Sequence, residues 1–295
     1  MKNKHLIFIF IPILFLWTDF CKGDTPSMDN QLHDMPYEEM HALAQTLSEE
    51  LIKTPKKGFE DFQYHYTHGD TPLKSYLIAT LKRTTLESGN LVLRQQTTYF
   101  LLKVVLHETE IQLHNEALNG LLNYSENDFS AETKAILAKI DIFQSPELIK
   151  ITGVANIQSR EKELHDIATT STDPQLKWAA TLALARMGDK QKLNAVIQGV
   201  KSEPDIVQRS GRLFDDLAWT RQQETFNVLR EYLHSQKHLP STKDESIPGT
   251  LEAAYAARAF INHIKNCPIK SEFPNAEELP IIVNWADQQK EWLIK

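Results

Sequence analysis

Apolar residues recur at helical spacing along most of the chain. Met40, Leu43, Leu47 and Leu51 fall on one face of a helix predicted over residues 36–53. The same period predicts helices over residues 73–86, 91–107, 113–122 and 131–143. No segment shows the convincing two-residue alternation of a β-strand, and the chain has only 10 glycines. The pattern therefore predicts an all-α protein.

A longer repeat lies between residues 145 and 237. Pro146, Pro174 and Pro204 are each followed two residues later by Leu or Ile, at intervals of 28 and 30 residues. The stripe Leu176, Ala180, Ala183, Leu184 and Met187 has as its counterpart Ile206, Ser210, Leu213, Phe214 and Leu217. A second amphipathic helix follows each stripe, so each unit is predicted to be a helical hairpin. One hairpin cannot bury both its faces, and stacking of neighbours predicts an α-solenoid.

The first of these units is the weakest match. Thr152, Asn156 and Ser159 occupy positions where the stripe should be apolar. Pro174 and Pro204 suit the first turn of a helix, where no amide hydrogen bond is lost. Asp173 is a good N-cap, and Gly188-Asp189 is a typical helix stop and start.

The stretch "DPQLKWAATLALARMGD" resembles the short bacterial HEAT-like repeat of the phycobilin-lyase type. The matching residues are Asp173, Pro174, Leu176, Lys177, Ala179, Ala180, Ala183, Leu184, Gly188 and Asp189. Lys177 replaces the usual Arg, and the third unit has Val207 at that position and no Gly-Asp turn. The likeness covers about 60 residues of the chain. It implies an α-solenoid segment and a role in protein–protein contact or scaffolding, and no lyase-specific residue carries over.

The chain is accordingly divided into five predicted segments. They are a signal peptide (1–23), a flexible lead-in (24–36), an N-terminal helical region (37–143), HEAT-like repeats (144–237), and C-terminal helices with a cap (238–295). Residues 59–72 are predicted to be an irregular aromatic loop. Residues 280–294 are predicted to close the array with a polar-faced helix, as terminal repeats do.

The N-terminus has the layout of a secretory signal peptide. Lys2 and Lys4 precede the 12-residue apolar run "LIFIFIPILFLW", which is too short to span a membrane as a helix. Cleavage after Gly23 is predicted, which makes the mature chain periplasmic or secreted. A lipid anchor on Cys21 is the alternative, although Phe20, Asp19 and Thr18 depart from the usual lipid-attachment motif. We expect association with a membrane only if Cys21 is lipidated.

The composition limits the classes of partner and cofactor that the chain is expected to bind. The net charge is −7 and no Lys/Arg-rich run occurs, which disfavours a nucleic acid as the main partner. If residues 1–23 are removed, Cys267 is the one remaining cysteine, so no internal disulfide is expected. No phosphate loop, dinucleotide fingerprint or nucleophile elbow is present, and no cofactor is expected. The predicted partner is another protein.

Two groups of residues suggest alternative functions that involve catalysis or metal binding. His65, His68 and Asp70 lie in the aromatic stretch "YHYTHGD", where they would act as metal ligands or as acid and base in an exported all-α hydrolase. Packing of an aromatic loop explains them as well. His107, Glu110 and His114 would share one helix face and hold zinc if a helix spans all three. This segment lacks the His-Glu-x-x-His motif, and a turn between two helices is the alternative.

Charged pairs and aromatics complete the candidate residues. Asp215 and Asp216 are adjacent on a helix and are expected to face water, balanced by Arg209 and Arg212 nearby. Trp178 and Trp219, with Tyr255 and Trp285, either form a contact strip along the repeats or belong to the core. We take Trp178 and Trp219 as the candidate binding residues.

Overall fold

The computed structural model describes residues 35–240 and 249–295, and within them the fold is all-α. The extended pairings in these ranges are two isolated bridges, His238 with Leu251 and Ile264 with Ile294. The predicted signal peptide and lead-in fall on residues 1–34, which lie outside the described part, apart from the last two residues of the lead-in. The chain forms two compact units that meet between Leu77 and Ile78, inside the predicted 37–143 region.

The first unit is built on a tight helix pair. Its helices are α1 (Tyr37–Lys53) and α2 (Pro55–His68), and α3 (Thr71–Glu87) begins here and continues into the second unit. Gly58 permits the close approach of α1 and α2, because a Cβ atom there would lie 2.5 Å from the backbone nitrogen of Leu51. Buried Leu47, Leu51 and Phe62 form the core between the two helices.

The expected irregular loop over residues 59–72 is wrong. Most of this stretch belongs to α2 and the start of α3. Phe59, Phe62 and Tyr66 follow helical spacing and are all buried, so the aromatic residues are the apolar face of α2. Pro55 at the first position of α2 starts the helix.

The second unit contains the hairpins. Its further helices are α4 (Leu91–His107), α5 (Ile111–Leu121), α6 (Ala131–Leu137), α7 (Pro146–Val154), α8 (Glu161–Thr170), α9 (Pro174–Arg186), α10 (Lys190–Ser202), α11 (Ile206–Gln208), α12 (Phe214–Trp219), α13 (Gln223–Tyr232), α14 (Glu252–His263) and α15 (Glu278–Asp287). Three-residue 3₁₀ turns occur at Glu126–Asp128, Ile142–Gln144 and Gln158–Arg160.

The helices pack in the order expected of hairpins laid side by side. Helix α9 contacts α7, α8 and α10, while α14 contacts α12, α13 and α15. The pattern predicts apolar stripes on the second helices of these units, and most of their residues are buried: Leu193, Val196, Val200, Phe226, Leu229 and Leu233. Ile197, which belongs to the first of these stripes, is only partly buried. The all-α, neighbour-on-neighbour arrangement is thus confirmed.

Thr152 breaks the predicted stripe without breaking the core. Its side chain is fully buried, and its hydroxyl donates to the Leu148 carbonyl one turn earlier at 2.9 Å. The polar atom is therefore satisfied by its own helix, and the threonine packs as a small apolar residue. This explains how the weakest repeat unit still contributes to the core.

The hairpins begin with the same kind of N-cap. The side chains of Ser145, Asp173 and Asp205 each accept backbone N–H groups at the start of α7, α9 and α11. Pro174 occupies the first turn of α9, as predicted, and Pro146 occupies the first turn of α7. Pro204 precedes its cap instead, because α11 begins at Ile206.

The third hairpin carries one extra residue in its first helix. Positive φ marks the second residue after each first helix, directly after the C-cap: Asn156 and Arg221 at 54° and Gly188 at 99°. The interval from Asp205 to Arg221 is one residue longer than the interval from Asp173 to Gly188. A π-turn over Arg209–Leu213, between α11 and α12, accommodates the additional residue.

The C-terminal end of the chain is more apolar than the predicted polar-faced cap. Helix α15 ends at Asp287, and Trp292 then folds back to become buried against Phe226, Phe260 and Trp285. The indole N–H of Trp292 donates to Asn227 Oδ1 at 3.0 Å. The last residues therefore belong to the core of the second unit.

Candidate interaction site

Asp216 is the centre of a polar network that joins three hairpins. Its carboxylate accepts the indole N–H of Trp178 at 2.8 Å and the ammonium of Lys150 at 3.1 Å, and Arg212 Nε lies at 3.5 Å. Lys150 comes from α7, Trp178 from α9 and Asp216 from α12. Because Asp216 is buried, these charge-assisted contacts fix the positions of all three side chains.

The expectation for Asp215 and Asp216 needs correction. Asp216 does not face water, while half-exposed Asp215 forms an ion pair with Arg258. Arg209 does not balance either aspartate. It turns inward from the π-turn and binds Glu252, because the wider turn rotates it toward α14.

The Arg209–Glu252 pair is buried and well satisfied. Arg209 Nε and Nη2 both lie 2.7 Å from Glu252 Oε1, and Ser235 donates its hydroxyl to Oε2 at 2.6 Å. Arg209 also donates to the Glu203 carbonyl and lies over the ring of Tyr232, 5.6 Å from its centroid. The pair ties the π-turn to α14.

An open pocket of about 240 Å³ lies beside the network. Trp178, Gly199, Glu203, Arg212 and Leu213 line it. The Trp178 ring lies against α10 at Gly199, where an added Cβ would be only 3.2 Å from the ring. The side chain of Arg212 is 61% exposed at the rim. The pocket thus combines an aromatic wall held by Asp216 with an exposed cation that also contacts Asp216.

Trp219 lies between two cations. Lys150 Nζ is 5.6 Å from the ring centroid and the Arg186 guanidinium carbon is 4.6 Å from it. Arg186 also donates to the Trp219 carbonyl at 2.6 Å, and burial lowers the pKa of Arg186 to about 9. The Trp219 indole N–H is buried without an acceptor among the described residues. Trp219 therefore acts mainly as a packing platform for Lys150 and Arg186.

The two other aromatics pack within the C-terminal part. Tyr255 meets Phe273 edge to face at 5.1 Å, and Trp285 contacts Phe260 and Trp292. All four aromatics are half-buried. Of the two predicted binding residues, Trp178 faces a pocket and Trp219 lies under charged side chains.

His65 and His68 lie on α2 of the first unit, and Asp70 lies in the short link between α2 and α3. Both histidines lie against the ring of Tyr64. Burial lowers the pKa of His65, and its Nδ1 has no hydrogen-bond partner among the described residues. Asp70 accepts the backbone N–H of Leu73 at 3.0 Å and starts α3. Catalysis by these residues stays a prediction.

A turn separates His107, Glu110 and His114. Helix α4 ends at His107, Glu110 is the N-cap position of α5, and His114 lies within α5. The single helix that the zinc alternative requires is therefore not formed. Across residues 35–240 and 249–295, no group of three His, Cys, Asp or Glu side chains is arranged to hold a metal ion.

Sequence reasoning missed Lys150 and Glu252. Neither pairing could be predicted, because the partners are far apart in the sequence. Lys150 lies 66 residues from Asp216, and Glu252 lies 43 residues from Arg209. The sequence feature that indicates such a buried charge is a charged residue within an otherwise apolar face of a helix. Asp216 stands one residue before buried Leu217, and Glu252 opens the alanine-rich α14.

Comparison with known proteins identifies no relative. No family model matches the chain, and neither the curated proteins nor the solved structures contain a significant match. In the described ranges, every helix is too short or too polar to cross a bilayer.

Proposed function

We propose that the chain is an exported, non-catalytic helical-repeat protein that serves as a scaffold for contact with another protein. The HEAT-like likeness of residues 173–189 and the packing of α7, α9 and α10 support a repeat array. The signal-peptide pattern of residues 1–23 supports export.

The single observation that carries the contact role is the environment of Trp178. Its indole N–H is fixed by Asp216, its ring forms a pocket wall, and exposed Arg212 stands at the rim. Trp and Arg are the residues that most often dominate protein–protein affinity. A side chain held in advance loses little conformational entropy when a partner binds. The pocket is therefore suited to receive one side chain of a partner.

Affinity capture from the exported fraction of the producing cells tests this role. We expect the native chain to recover a stoichiometric partner and Arg212→Glu to reduce recovery at least tenfold, about 1.4 kcal/mol of binding free energy. Arg212→Glu is the primary variant because the Arg212 side chain is 61% exposed. The change also removes the 3.5 Å contact with Asp216, so the urea unfolding midpoint of this variant is compared with that of the native chain. Trp178→Phe, which keeps the ring and loses the N–H, gives an intermediate loss.

Arg83→Glu provides the matched control. Arg83 is an exposed arginine on α3, away from the pocket lining, and we expect this variant to recover the partner as the native chain does. Equal recovery by all variants, or no reproducible partner, contradicts the proposal.

Mass spectrometry of the mature N-terminus tests export separately. We expect a chain that begins at Asp24. A mature chain that begins at a lipid-modified Cys21 would mean that the protein is anchored to a membrane and not secreted. An exported chain that still begins at Met1 would contradict the predicted cleavage.

A further inference from the structure

Basic groups from the ends of helices α9, α12 and α14 come together in the second unit. Arg186 lies in the last turn of α9, Arg221 follows α12, and His263 ends α14. Burial, together with the positive charges of Arg221, Arg186 and Lys295, lowers the pKa of His263 to about 3. Arg221 also lowers the pKa of Arg186. Hydrogen bonds place Arg186 and the Arg221 segment together: Arg186 donates to the Trp219 carbonyl at 2.6 Å, and Gln222, the residue after Arg221, donates to the Arg186 carbonyl at 3.1 Å.

Two members of this cluster have partners that explain them. Arg186 donates to the Trp219 carbonyl at the end of α12, and Lys295 Nζ donates to the Ile261 carbonyl of α14 at 2.8 Å. Carbonyls at helix C-termini carry partial negative charge and stabilise such cations. No further ligand is needed for these two contacts.

Arg221 has no such partner. In the described part of the chain its guanidinium makes no hydrogen bond or ion pair, and its Nε is buried without an acceptor. Asp128 is the carboxylate whose charge acts on Arg221, but Arg94 pairs with Asp128 Oδ1 at 3.0 Å and Ser125 donates to Oδ2 at 2.8 Å. Arg221 is half-buried, and burying its Nε–H without an acceptor is unfavourable.

The backbone of Arg221 adds a second observation. Its φ of 54° is a left-handed conformation in which glycine, as at the equivalent Gly188, fits without strain. An arginine there adds backbone strain to an unsatisfied charge. Both costs fall on one side chain, directly beside Arg186.

We propose that Arg221, supported by Arg186, binds a small oxyanion, the phosphate or carboxylate group of a ligand, between the ends of α9 and α12. The planar fork of a guanidinium matches both groups, and an anion satisfies the unpaired N–H donors. This site stands independently of the Trp178 pocket.

Thermal unfolding of the full mature chain in phosphate, acetate and chloride at matched ionic strength tests the proposal. We expect phosphate or acetate, but not chloride, to raise the Tm of the native chain. Arg221→Asn, which tolerates the left-handed backbone and lacks the cation, abolishes the rise. Arg221→Lys keeps the positive charge but lacks the planar guanidinium, so we expect it to retain part of the rise in Tm. Arg83→Gln, a matched loss of an exposed arginine, retains the full rise.

The two anions separate the sources of the ligand group. A rise with phosphate alone assigns a phosphate ligand, and a rise with acetate assigns a carboxylate ligand. An equal rise in native chain and Arg221→Asn reflects general salt exclusion and overturns the site. No rise with either anion overturns it as well. Isothermal titration of the effective anion into native chain and Arg221→Asn is expected to show at least a tenfold difference in Kd.

Discussion

The second and third hairpins have the same arrangement of helices but bury different kinds of side chain. Helix α9 opens at the Asp173 cap and buries an apolar run from Ala179 to Ala185, interrupted only by Thr181. The corresponding helix of the third hairpin opens at the Asp205 cap and buries Arg209 and Asp216 beside its apolar residues. Counted back from the left-handed residue of each hairpin, the buried Asp216 corresponds to the buried Ala183.

The π-turn is the physical origin of this difference. One inserted residue widens a helical turn and rotates the residues on either side relative to a regular helix. Arg209 then faces Glu252, while Arg212 stands exposed at the pocket. The exposed Arg212 on which the proposed contact role depends thus belongs to the π-turn. π-Turns often occur at functional sites for this reason.

Breaking the buried ion pair of the third hairpin is expected to have the largest effect. Arg209→Met leaves the Glu252 carboxylate buried and uncompensated, so the free energy of unfolding falls by about 3–5 kcal/mol. Urea unfolding followed by circular dichroism measures this loss. Glu252→Met has a comparable effect because it strands the Arg209 guanidinium.

The double variant Arg209→Met/Glu252→Met is the control. It removes both charges, so we expect it to be more stable than either single variant. If each single change costs less than about 1 kcal/mol, the pair is not buried as described and its role in fixing the π-turn fails.

The space around two glycines differs between the tight packing of α7 on α9 and the open π-turn. A Cβ at Gly153 would lie 2.6 Å from Ala183 Cα, while a Cβ at Gly211 would meet nothing within 4 Å. Gly153→Ala is therefore expected to lower the free energy of unfolding by about 1–3 kcal/mol through overpacking. Gly211→Ala should raise it by about 0.5–1 kcal/mol through reduced backbone entropy in the unfolded chain. Two effects of the same sign in urea unfolding would contradict this contrast.

Local pattern was enough to predict most of the helices. Asp173, Pro174 and Gly188 signal the ends of α9 through capping and backbone conformation, which depend on adjacent residues only. The aromatic stretch of α2 was misjudged because its apolar face is made of Phe and Tyr next to His and Gly, which are typical of loops. Burial of Phe62 decides in favour of the helix.

The candidate site could be predicted only in part. Trp178 and Trp219 are recognisable as contact or core residues from type and spacing. The network around Asp216 is different, because its partners come from separate hairpins and are joined only by packing. Pairing the units by their prolines also missed the inserted residue, since Pro204 precedes the cap while Pro174 follows it.

The residues that follow the first helices give the smallest and most direct test of repeat equivalence. Gly188 has φ of 99°, so Gly188→Ala should cost about 1–2 kcal/mol of unfolding free energy. Asn156 tolerates its φ of 54°, and Asn156→Gly should change stability by a few tenths of a kcal/mol at most. Arg221→Gly relieves both strain and an unpaired charge, and in phosphate-free buffer it should raise the unfolding midpoint. Because all three residues end a first helix, this order follows from residue type alone. Loss of stability in Arg221→Gly would mean that the arginine has a partner and that the third hairpin does not end as the second one does.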